Sequence, residues 1–131
     1  MCTSMLEKIN FPDTTNLQYK NIYVYKKFCT YSEIIDFCKS HGFNLFTKKE
    51  TIELFTNIMN YYIEDFSNVC IEKNLNGHSF WIEKSENDNN TFCLKILKNQ
   101  ITDNVKMTLY SEPDKDKYCY AIVNDGVLNK L

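Results

Sequence analysis

The apolar residues of this chain change their period once, and that change limits what it can fold into. Between residues 31 and 66 they recur at three- and four-residue spacing, as Ile34, Ile35, Phe37 and Cys38, then Ile52, Phe55, Met59, Tyr62, Ile63 and Phe66. From residue 79 they sit in short runs rich in β-branched and aromatic side chains, SFWIEKS, TFCLKIL and KYCYAIV. A helix repeats its face every ~3.6 residues and a strand every two, so the first stretch reads as helices and the second as strands. One more strand precedes them: LQYKNIYVYKKF, residues 17 to 28, carries Tyr19, Ile22, Tyr23, Val24 and Tyr25. Strand, helix, helix and then several strands predict an α+β fold whose sheet is completed late.

The boundaries have local chemistry. Thr30 or Ser32 can cap a helix beginning near Tyr31, and Gly42 follows it where a left-handed residue is wanted. After the link FNLF, Thr47-Lys-Lys-Glu50 has capping-box spacing, so a second helix is expected from 48 to 66. The polar ENDNN separates two of the late strands. Asn124-Asp125-Gly126 stands between KYCYAIV and VLNKL as a hairpin corner. Residues 1 to 16, with FPDTTN as a capped turn, read as a leader or stem, and 17 to 131 as the domain.

A length of 131 residues with 44% apolar and 15% aromatic side chains suits one domain with a real core. The net charge of −2, without a basic stripe, argues against nucleic acid as the main partner. All 15 basic residues are lysines, so no guanidinium fork is present to clamp phosphate or carboxylate bidentately. Three glycines are too few for most phosphate-cradling loops, and no nucleophile elbow or recognisable pair of catalytic carboxylates occurs. The expectation is a protein that is not an enzyme. No apolar window is long enough for a transmembrane helix, and MCTSMLEKIN lacks the apolar run of a signal peptide.

Several residues invite chemistry. Cys38 and His41, three apart on one helix, could be half a zinc site or a thiol–imidazole pair, but no second half exists at comparable spacing. Cys38 lies on the apolar face and is read as a buried structural thiol, His78 as an exposed loop residue. Trp81, between Phe80 and Ile82, is read as core. Asn89-Asn90-Thr91 is a glycosylation sequon, meaningful only on the secretory route. The six cysteines, 2, 29, 38, 70, 93 and 119, suit either a disulfide framework or a reduced interior.

Read in order, YKNIYVY, TYSEIIDFCKSHGFNL, TKKETIELF, FWIEKS and SEPDKDKYCYAIVNDGVLNKL resemble the successive segments of the C-type lectin-like domain family. The resemblance covers roughly residues 17 to 131. It implies two helices flanking antiparallel β-sheets, with a long irregular loop region at about 84 to 118. Cys38 and Cys119 match the family's first-helix and late-strand cysteines, whose partners would lie beyond Leu131. The resemblance thus implies a domain incomplete at its C-terminus, without the closing strand and with an unpaired edge beside the amino-terminal one.

Glu112-Pro113-Asp114 stands where the family has a calcium-binding triplet around a cis-proline, and Asn129-Lys130 where it has an Asn-Asp pair. Lysine in place of that aspartate removes a coordinating carboxylate, so no metal is expected. If Ca²⁺ binds, weakly, its ligands would be among Glu112, Asp114, Asp116, Asn129 and Asp125. The family occurs on animal cell surfaces and in large DNA viruses, which implies a cell-surface, envelope or secreted protein; the missing signal peptide keeps a cytoplasmic one open. The expected function is recognition of a protein ligand or host receptor, with a homodimer and a carbohydrate ligand as further possibilities. The alternatives are a cytosolic interaction module with reduced cysteines and, below it, calcium-dependent carbohydrate binding.

Overall fold

The computed structural model describes residues 5–10, 19–56, 62–83 and 91–127. Their elements are, in chain order, β1 (Leu6–Lys8), β2 (Ile22–Cys29), α1 (Tyr31–His41), β3 (Asn44–Leu45), α2 (Lys48–Thr56), α3 (Tyr62–Glu72), β4 (Ser79–Ile82), β5 (Thr91–Lys98), β6 (Val105–Glu112) and β7 (Cys119–Asn124). The strands form one seven-stranded sheet in the order β1-β2-β7-β4-β5-β6, with β3 also paired to β7. Every ladder is antiparallel except β4 with β7, which is parallel.

Alternation gives the central strands two faces, and here both are apolar and buried. On one face Val24, Phe80, Leu94, Ile96 and Ile122 pack with Leu54 and Phe55 of α2 and Phe66 and Cys70 of α3. On the other, Tyr25, Cys29, Trp81, Cys93, Cys119 and Ala121 pack with Ile34, Phe37 and Cys38 of α1. The helices therefore cover opposite faces, α1 being the one described helix on its side. Each fully buried large side chain contributes ~1.5–3 kcal/mol, so both layers matter to stability.

The helix starts follow the sequence. Thr30 Oγ1 accepts from Glu33 N at 3.3 Å, and the Glu33 carboxylate accepts from Thr30 N at 2.9 Å. Thr47 and Glu50 repeat the exchange at 3.1 and 3.0 Å. Gly42 closes α1 in the left-handed region at φ 75°, where a Cβ would be strained.

Long-range pairing changed other expectations. Three helices are described rather than two: the expected helix of 48 to 66 is α2 ending at Thr56 and α3 continuing to Glu72. The apolar stripe runs past Phe66 to Cys70, both fully buried, and α3 closes where Leu75 N donates to Cys70 O at 2.6 Å. Ile52, placed on the buried stripe, is 40% exposed; Thr51 and Leu54 take the inward positions. Met59 lies outside the described residues.

The expected long loop of 84 to 118 contains a regular hairpin, β5 and β6, in continuous register from Thr91↔Glu112 to Lys98↔Val105. Asn99 makes its turn, the side-chain oxygen accepting from Ile101 N at 2.9 Å and Thr102 N at 3.2 Å. Nor does Asn124-Asp125-Gly126 fold back as a hairpin. Val127 bridges Tyr19, extending the ladder in which Asn124 pairs with Ile22. Both Asp125 carboxylate oxygens accept from Asn21, from its N and its Nδ2, each at 3.0 Å, which carries the chain straight on.

The segment read as leader contributes to the fold as well: Leu6–Lys8 pairs with β2, and Ile9 is buried. Strand β2 thus has a neighbour on each side, β1 and β7, and the unpaired edge expected there is filled. Among the described residues the sheet's outer strands are β1 and β6.

Candidate functional site

The acidic turn of the sequence connects β6 to β7. Glu112, Asp114 and Asp116 come together there, held by local bonds of the kind short carboxylates make. Asp116 N donates to Asp114 Oδ1 at 3.0 Å, and Asp114 N to Glu112 Oε2 at 3.4 Å. The other Glu112 oxygen, Oε1, lies 2.9 Å from Lys117 Nζ. That hydrogen bond, with the Asp114 N–H, holds the Glu112 carboxyl below the usual carboxylate range against the opposing effect of burial. The same bond pushes the Lys117 ammonium up. A cation therefore already sits on the carboxylate that a calcium ion would need.

The other expected ligands do not complete a site. Asp125 lies at the far end of β7, ~20 Å away at about 3.3 Å per strand residue, and is bound to Asn21. Asn129 falls outside the described residues, as does the sequon Asn89. No peptide bond among the described residues is cis, so the Glu112–Pro113 bond is trans. Among the described residues, no three His, Cys, Asp or Glu side chains are grouped to hold a metal ion. His41 Nδ1 lies 3.1 Å from Phe37 O on its own helix, and its ring stacks on Phe37 at 4.5 Å.

The five described cysteines, 29, 38, 70, 93 and 119, are free and buried. Four of them line the α1 side of the sheet around Trp81. Cys38 and Cys119 share that layer without being bonded to each other. Burial pushes the Cys29 and Cys70 thiols up to about 12, and burial followed by the Glu83 charge pushes Cys38 up to about 11. Cys119 differs. Its sulfur is 3.9 Å from that of Cys93, and the hydrogen bond from Cys93 and then the nearby Lys117 charge hold it below an ordinary thiol, against burial.

On the opposite face, at the end where β2 finishes and β4 and β7 begin, aromatic side chains reach the surface. Phe28 stacks on Tyr120 at 4.3 Å, while the His78 ring stands edge-on to Tyr120 at 5.4 Å. Phe28 is 47% exposed, and Tyr118, two residues before Tyr120, is 62% exposed. Sequence reasoning placed His78 correctly in the open but did not see this group. The available signal was Tyr120 next to Cys119 on one strand: alternation puts the two side chains on opposite faces of the sheet. Trp81, fully buried, is core as expected.

No helix among the described residues is long and apolar enough to cross a membrane. No protein family, curated protein or solved structure matches this chain.

Proposed function

We propose that the chain is a non-enzymatic recognition domain, resembling C-type lectin-like proteins, that binds a protein ligand or receptor without calcium. The observation that carries this is the surface aromatic group in which exposed Phe28 and His78 rest on the half-buried Tyr120, with Tyr118, two residues earlier in the chain, also exposed. Rigid aromatic surface held on strands is the material of protein-binding hot spots, because it buries much area for little lost side-chain freedom. The Lys117 ammonium on Glu112 supports the calcium-independent form of the reading. A tyrosine-rich β2, α1 closed by Gly42 and an extended Trp81 support its lectin-like part.

The test is staining of host-cell surfaces with a fluorescent, multimerised form of the domain. Protease-sensitive binding that persists in a calcium chelator and is lost in the Phe28→Ala, Tyr118→Ala double variant is expected. Staining that requires calcium, or that simple sugars compete away, would instead support the carbohydrate reading.

One observation favours a second reading, a cytosolic interaction module with reduced thiols: all five described cysteines are free and buried. Counting reactive thiols in denatured, unreduced protein from its natural source separates the two. A full count of six, as in the sequence, favours the cytosolic module.

A further inference from the structure

We propose that Cys29 and Cys119 are a latent cross-strand disulfide, closed by a hydroperoxide, that clamps β2 to β7 behind the Phe28–Tyr120 pair. This rests on the sheet and not on the proposed function. The two residues are Cα partners in the antiparallel β2–β7 ladder, where pairing resumes after a register shift between Tyr25 and Cys29. Directly opposed residues there lie ~4.5–5.5 Å apart, inside the span of roughly 4.4–6.8 Å that a disulfide bridges. Their side chains enter the same buried layer, and Cys29 Sγ already lies 3.5 Å from Cys119 O.

Cys93 is the closer sulfur, 3.9 Å from Cys119. It is nevertheless the wrong partner. β4 stands between β5 and β7, so the Cα atoms are separated by two ladder spacings of about 4.8 Å each. That exceeds the limit of roughly 7 Å beyond which a bridge needs backbone movement. Cys93 instead stays a hydrogen-bonding neighbour of Cys119, and the nearby Lys117 charge favours the Cys119 thiolate.

The order of the chemistry follows from where the two sulfurs sit. Cys119 begins β7, one residue from the exposed Tyr118, so loosening the end of a single turn uncovers it. Its thiolate attacks one oxygen of hydrogen peroxide. The S–O bond forms, the O–O bond breaks, and hydroxide leaves and is protonated to water. The Cys29 sulfur then attacks the sulfenic acid sulfur; the S–S bond forms, the S–O bond breaks, and the hydroxyl leaves as a second water with the Cys29 proton. Two thiols lose two electrons and one peroxide is reduced to two waters.

Limited peroxide treatment of the reduced folded chain, followed by tryptic peptide mapping without reductant, tests this. The expected product has lost two hydrogens and joins peptide 28–39 to peptide 118–130, with fragment ions assigning the bond to Cys29 rather than Cys38. Cys29→Ser and Cys119→Ser abolish the link, while Cys93→Ser and Cys38→Ser keep it. Trp81 emission should drop on oxidation and recover with reductant, since Trp81 Nε1 contacts Cys29 O at 2.8 Å and disulfides quench indoles on contact. A bond through Cys93 or Cys38, or oxygen addition without any cross-link, would overturn the proposal. Should a serine variant fail to fold, the wild-type map alone decides.

Discussion

Trp81 Nε1 donates to the carbonyl of Cys29 across 2.8 Å, and to do so the indole spans a whole strand. Trp81 is on β4 and Cys29 on β2, with β7 between them. The residue of β7 that pairs with Trp81 is Ala121, whose methyl leaves the indole room. Trp81→Phe should cost ~2–4 kcal/mol, ~1–3 of it from leaving a buried carbonyl without its donor and the rest from lost volume. Ala121→Leu should cost ~1–3 kcal/mol by overpacking. Urea unfolding measures both; a loss below about 0.5 kcal/mol for Trp81→Phe would show the bond to be idle.

The two capping boxes predict a matched pair of effects. Thr30→Ala and Thr47→Ala should each lower stability by ~1 kcal/mol. Because α1 and α2 lie on opposite faces of the sheet, the double variant should lose the sum within about 0.5 kcal/mol. Clear non-additivity in the urea midpoints would mean that the faces are coupled.

Asp125 predicts a pH effect. Burial, and after it the Asp125 charge, holds the Tyr23 phenol above its ordinary value. A raised folded value favours the protonated native state, so this stabilisation is complete below about pH 10, the ordinary tyrosine value, and is lost as pH rises through the folded value. Asp125→Asn should shift the alkaline unfolding limb to higher pH. At neutral pH, Asp125→Ala should cost ~1–3 kcal/mol because the Asn21 N–H and amide lose their acceptor. An unchanged alkaline limb in Asp125→Asn would leave Tyr23 governed by burial alone.

Thiol labelling should be uneven. At pH 8 a thiol at about 12, as for Cys29 and Cys70, is ionised in only ~1 molecule in 10,000, whereas an ordinary thiol is about one-quarter ionised. Folded protein treated with iodoacetamide should therefore label Cys119 before either of them. Fast labelling of Cys70 would mean that α3 opens readily.

For the acidic turn, titration calorimetry with Ca²⁺ should give no metal-dependent heat. The Glu112–Lys117 pair should contribute only ~0–1 kcal/mol, since the lysine is 45% exposed and screened by solvent. Because the Glu112 value is lowered, that contribution is present above about pH 4.3, the ordinary Glu value, and fades as pH falls through the folded value. Glu112→Gln and wild type should therefore converge in stability in strong acid. A calcium heat lost in Glu112→Gln would restore the metal reading.

By itself the sequence determined what depends on residues a few positions apart. Thr30 with Glu33, Thr47 with Glu50 and the left-handed Gly42 set helix boundaries through bonds that close locally, and strand alternation placed Trp81 and Tyr120 on extended backbone. The acidic residues of the β6–β7 turn were legible for the same reason, since Glu112, Asp114 and Asp116 bond to one another's backbone. Tertiary structure decided what joins distant parts of the chain. Leu6–Lys8 has too few residues to announce a strand and becomes one only because β2 offers it a ladder. Asp125 turns a hairpin signal into a continuing strand because Asn21, 104 positions away, satisfies both its oxygens. The thiol layer around Trp81 and the Phe28–Tyr120–His78 surface arise only when β2, β4 and β7 lie side by side. No local free energy encodes that order; it comes from burying two apolar faces of one sheet at once.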